Sequence, residues 1–132
     1  MSGLIGLTPC VQVAIENSFL RKMYPNDGLV NAIIDTGYQG FLSVPNSVFQ
    51  QLGLDKLSGE KRRIALADGT LSSTKGCYAT LRIPHVSMKI DGFIETFPGL
   101  DEILLGVEAL TQSRVLLDYC IRRVRMERCI PK

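Results

Sequence analysis

Ile33-Ile34-Asp35-Thr36-Gly37 places two β-branched apolar residues before a single carboxylate and follows it with a Thr-Gly turn. Ile33 and Ile34 favour an extended, buried strand, and Thr-Gly ends it. A carboxylate at the end of such a strand is costly unless something uses it. The motif occurs once in the chain, so Asp35 is half of any site built from two facing carboxylates.

Working outward, Leu29 to Ile34 reads as a strand entered through the tight turn Pro25-Asn26-Asp27-Gly28. Val11, Val13 and Ile15 alternate upstream as another strand. Phe41 to Val44 predicts a short strand. Pro45-Asn46-Ser47 then opens a helix whose apolar face is Val48, Phe49 and Leu52 and whose stop is Gly53. Ile64 to Ala67, the turn Asp68-Gly69, and Thr70 to Ile83 read as a hairpin. Pro84-His85 breaks it, and Asp91-Gly92 predicts a second hairpin turn before Phe93 to Phe97. Glu102 to Gly106 is an apolar strand ending in glycine, followed by a helical VEALTQS and the strand RVLLD. Val124 and Met126 alternate with charged residues as an amphipathic edge strand. The sum is all-β with one or two short helices.

Composition narrows the class. The 132 residues are 45% hydrophobic and 21% charged with a net charge of +2, which fits one globular domain spanning residues 1–132 and names no nucleic-acid partner. Cys10, Cys77, Cys120 and Cys129 form no Cys-x-x-Cys pair and His85 is the only histidine, so no zinc ligand set is recognisable. The thiols read as reduced and mostly buried. MSGLIGLTPC lacks a basic start and a long apolar core, and no run reaches a membrane span, so the expected address is the cytoplasm. Lys61-Arg62-Arg63 and the arginines 122, 123, 125 and 128 read as solvated strand faces. His85 reads as an exposed turn residue. Asp118 lacks the Thr-Gly turn and reads as a surface carboxylate at a strand end or paired with an arginine.

Two carboxylates about 3 Å apart share one proton, so one member can take a proton from water while the other polarises a carbonyl. The simplest source of the second carboxylate is a second copy of the chain across a two-fold axis. Gly37 permits close backbone approach, the Thr36 hydroxyl can bond across the axis, and Ile33 and Ile34 supply dry walls.

With these elements in order, the chain resembles the retroviral-type, retropepsin-like aspartic proteases. Within them it is similar to the prokaryotic group whose DTG is followed by an aromatic residue and then a glycine two places on, here Asp35, Thr36, Gly37, Tyr38 and Gly40. The resemblance runs over residues 9–120 and includes LADGT and Leu104-Leu105-Gly106. It implies a closed, barrel-like acid-protease fold and an obligate homodimer that hydrolyses polypeptide without metal or other cofactor. Asp35 would be catalytic with Thr36 and Gly37 supporting it. Ala67, Asp68, Gly69 and Thr70 would form the flap tip, Tyr38 would lie beside the substrate, and Leu104, Leu105 and Gly106 would lie beneath the catalytic loop. Tyr38 departs from the small residue usual in the retroviral enzymes, and the flap lacks their double glycine. An aromatic ring beside the dyad motivates an alternative, a dimeric peptide-binding or assembly module of the same fold with little or no turnover.

Overall fold

A computed structural model describes residues 2–57, 59–66 and 68–129. β1 (Ser2–Ile5) and β2 (Thr8–Asn17) form an N-terminal hairpin, and β3 (Lys22–Tyr24) turns back along the far end of β2. β4 (Val30–Ile34) pairs antiparallel with β2, placing Cys10 opposite Ile33. β5 (Leu42–Ser43) leads into α1 (Asn46–Gln51). Six residues are too few for a free-standing helix. Burial of Val48 and Phe49 holds α1, and Gly53, at φ +70°, ends it in the left-handed region.

β6 (Glu60–Ala65) and β7 (Leu71–Ile83) form the long hairpin read around Asp68-Gly69. β8 (Met88–Thr96) follows a 3-10 turn at Pro84–Val86, with His85 exposed. After β9 (Leu104–Leu105) and α2 (Val107–Leu110), the hairpin of β10 (Ser113–Asp118) and β11 (Arg123–Arg128) makes a separate two-stranded sheet. Val124 and Met126 turn inward from β11 and are buried. No helix is long and apolar enough to cross a membrane among the described residues.

The main sheet runs β1-β2-β4-β9-β5-β8-β7-β6, and a further pairing of β2 with β7 closes its middle strands into a ring. The side chains inside that ring are apolar and dry: Val11, Val13, Ile15, Leu42, Leu81, Ile83, Ile94 and Leu105 are fully buried. Each such side chain contributes roughly 1.5–3 kcal/mol on leaving water. The all-β architecture with two short helices is as expected.

Two readings are corrected. Asp91-Gly92 is not a turn: β8 runs straight through it, with Asp91 opposite Thr80 and Gly92 opposite Ala79. The glycine is there because the Phe41 ring lies flat against its backbone, where a Cβ would collide with it. The thiols are not mostly buried, since Cys10 is buried and Cys77 half-buried but Cys120 and Cys129 are exposed. Gly92→Ala should push Phe41 off its rotamer and destabilise the fold by about 1–3 kcal/mol, read as a lower urea midpoint with an unchanged denaturant slope.

Candidate active site

The main chain positions Asp35. β4 runs parallel to β9, with Ile33 beside Leu104 and Ile34 beside Leu105. The Ile33 amide donates to the Ile103 carbonyl at 2.8 Å and the Asp35 amide to the Leu105 carbonyl at 3.0 Å. The strand then turns sharply. Tyr38 N–H donates back to the Asp35 carbonyl at 3.2 Å, and Gly37 N–H donates to Asp35 Oδ1 at 3.0 Å. Asp35 is partly exposed, while Thr36 and Gly37 are exposed.

Leu104, Leu105 and Gly106 lie directly against this loop. Gly106 N–H donates to the Phe41 carbonyl at 2.9 Å, and the first amides of α2, from Val107 and Glu108, donate to the carbonyls of Tyr38 and Gly40 at 2.9 and 3.1 Å. Amides that a helix start leaves without partners are thus satisfied by the loop after Asp35. A side chain on Gly106 would overlap the Gly40 carbonyl, so only glycine fits this approach.

The β6–β7 hairpin stands over the other side. At its tip Leu66 N–H donates to Thr70 O at 2.8 Å and Gly69, at φ +86°, donates to Leu66 O at 2.9 Å. Asp68 Oδ1 accepts from the Thr70 hydroxyl at 2.6 Å and its amide at 2.9 Å, and these bonds hold the Asp68 carboxyl below its ordinary value. Asp68 therefore orders the tip. Ala67 lies outside the described residues. Between hairpin and loop lies a cavity of about 640 Å³, with Asp35, Tyr38 and Gly40 on one wall, Arg62, Ile64 and Leu66 on the other, and Phe97 and Leu104 completing it.

Glu95, which the sequence reading did not single out, is fully buried on β8. Arg62 of β6 grips it with both ends of its fork, Nε donating to Oε1 at 2.7 Å and Nη2 to Oε2. The Tyr38 hydroxyl also donates to Oε2. Burial works to raise the Glu95 pKa, but the hydrogen bonds from Arg62 and then Tyr38 outweigh it and hold the carboxyl below its ordinary value. Burial and the bond to Glu95 push the Tyr38 phenol well above its usual range. Arg62 also lies 5.7 Å from the centre of the Phe93 ring. Lys61, Arg62 and Arg63 are all exposed, as a solvated strand face requires, but the 40% exposed Arg62 side chain also reaches in to the buried Glu95. The only hint was a glutamate inside Phe93-Ile94-Glu95-Thr96-Phe97, an otherwise strand-like stretch.

Asp118 lies elsewhere, in the β10–β11 turn, where Oδ1 accepts from the Cys120 and Ile121 amides at 3.0 and 3.3 Å. Among the described residues no three His, Cys, Asp or Glu side chains cluster as a metal site requires.

No family model matches the chain. An uncharacterized protein of Archaeoglobus fulgidus is 42% identical over 122 residues, covering 92% of this chain and 95% of its own length. A retropepsin-like aspartic protease from Rickettsia conorii superposes with a TM-score of 0.58 at 17% identity over 88% of each chain. EIAV protease complexed with the inhibitor HBY-793 gives 0.55 at 19% identity over 80% of this chain and 88% of its own. The retroviral protease-like domain of Ddi1 from Leishmania major gives 0.50 at 16%, over 90% and 93%. The fold is retropepsin-like.

The depressed Glu95 pKa carries a sign. Its stabilising contribution is complete above the ordinary glutamate value of 4.5 and is lost as pH falls below that value through the folded-state pKa. Melting temperature measured from pH 7 downward should fall more steeply below about pH 4.5 in the wild-type protein than in Glu95→Gln.

Proposed function

The chain belongs to the family of the uncharacterized Archaeoglobus fulgidus protein, and we propose that it is an aspartic endopeptidase working as a homodimer. Residues 1–132 form one protease domain, and each copy supplies one Asp35. The observation that carries this reading is the placement of the single Asp-Thr-Gly. Its carboxylate lines a cavity roofed by a hairpin, on a loop whose Thr36 and Gly37 are exposed for a partner.

In the dimer the two Asp35 carboxylates share one proton and hold one water between them. The ionised member takes a proton from the water as its oxygen attacks the scissile carbonyl, and the protonated member donates to the carbonyl oxygen. Collapse of the tetrahedral intermediate then breaks the C–N bond while an Asp35 delivers a proton to the leaving amine. Thr36 bonds across the axis and Gly37 N–H fixes the carboxylate. Asp68, Gly69 and Thr70 close over an extended polypeptide, and Tyr38 walls the cleft. Leu104, Leu105 and Gly106 support the loop.

Apolar side chains left on the surface support assembly. Ile5 and Leu7 at the β1–β2 turn, with Tyr119 and Ile121 at the β10–β11 turn, are each at least half exposed. The Tyr119 hydroxyl donates to the Leu7 carbonyl at 3.4 Å, joining the two turns. The free, exposed Cys120 and Cys129 suit a reducing compartment such as the cytoplasm.

Tyr38 in the cavity wall motivates a second reading, a dimeric peptide-binding module without turnover. Tight binding of a transition-state mimic with a central hydroxyl separates the enzyme from it. Wild-type protein should sediment at twice the 14.6 kDa chain mass and cleave unfolded polypeptide. Asp35→Asn should keep that mass and lose cleavage by at least roughly a thousandfold. A mutant as active as wild type overturns the assignment, as does an inactive wild-type protein that sediments as a monomer at every concentration.

A further inference from the structure

The β6–β7–β8 sheet has a second face, opposite the one that carries Arg62 and Glu95. Register sets Lys61 directly opposite Lys75 and Lys75 directly opposite Thr96, so the three side chains form one row on that face. Ser73 lies on the same face in the next row. The row borders a groove of about 490 Å³, closed on its other side by Phe97 and the turn at Gly99.

Three observations favour an anion in this groove. Like charges directly opposite across strands destabilise a sheet, and among the described residues neither Lys61 nor Lys75 is paired with a carboxylate. Among the described residues no acidic side chain lines the groove. Thr96 is 3% exposed, and among the described residues its hydroxyl is buried without a hydrogen-bond partner, an arrangement that is unfavourable until a ligand or a water completes it.

We propose that this groove binds a carboxylate of the polypeptide substrate, on an acidic residue outside the scissile pair. The two ammonium groups neutralise it, and the Thr96 hydroxyl donates to it. Phe97 lines both this groove and the Asp35 cavity, so the two spaces adjoin at that residue. The inference rests on the reading that the cavity takes extended peptide, and it adds a preference for acidic sequence.

The test uses full-length Asp35→Asn protein, so that binding is measured apart from cleavage. Fluorescent peptides identical except for Glu or Gln at the flanking positions are compared by anisotropy at low and high salt. The Glu peptides should bind about tenfold more tightly at low salt, with the gap narrowing as salt rises. Adding Lys61→Gln and Lys75→Gln should erase the difference. Thr96→Val, which keeps the side-chain shape, should reduce it several-fold while leaving the unfolding midpoint unchanged or higher. Equal affinity for Glu and Gln peptides overturns the proposal, as does discrimination that survives the double substitution. Inorganic phosphate that binds through the same lysines while both peptides bind alike also overturns it, making the groove a free-anion site. If Asp35→Asn discriminates the peptides but wild-type protein cleaves neither, the groove stands and the peptidase reading falls. If wild-type protein cleaves both with equal kcat/KM, the peptidase stands and the groove falls.

Discussion

A carboxylate with no access to water must be neutralised where it stands, and Glu95 is such a group. Its partners come from separate parts of the chain: Arg62 from the hairpin over the cavity and Tyr38 from the loop after Asp35. Removing either leaves a buried charge short of a partner, which is more damaging than the net worth of the pair suggests. The cluster therefore fixes the root of the hairpin against the loop. Among the described residues the tip around Asp68-Gly69 is exposed, and its hydrogen bonds run within itself. The hairpin is thus tied to the loop at its root and ordered by its own bonds at its tip.

The loop that carries Asp35 is braced from the opposite side by backbone alone. Amides of Gly106, Val107 and Glu108 meet carbonyls of Phe41, Tyr38 and Gly40. These bonds set the loop's position without using side chains, so the residues facing the cavity are free to differ while the frame stays constant. Chains below 20% identity share this fold, and the fold by itself carries no substrate preference.

Patterns set by near neighbours were legible in the sequence. The IIDTG strand and turn, the Asp68-Gly69 hairpin, the short helix ended by Gly53 and the β10 strand all depend on residues close in the chain. Asp91-Gly92 has the same local chemistry as Asp68-Gly69, yet Phe41, distant in sequence, packs on Gly92 and keeps the strand straight. β1 and β3 were missed because both are short edge strands defined by their pairing with β2. Glu95 and Arg62 escaped for a related reason: 33 residues separate them, and nothing local identifies one as the other's partner. At the site, the placement of Asp35 beside Leu104, Leu105 and Gly106 was readable as a motif. The use of the Tyr38 hydroxyl was not.

The seam between β2 and β7 bears on how the chain reaches this structure. Its ion pair joins Arg82 to Glu16, 66 residues apart, so the ring shuts only after most of the chain is in place. Loop-closure entropy must be met before that seam, like the pairing of β4 with β9, returns any stabilisation, which places both late in folding. The β6–β7 hairpin needs only near neighbours and forms early. Until the seam shuts, the strands on either side of it are bare edges, and that interval is when the chain is most prone to pair with another copy in the wrong way.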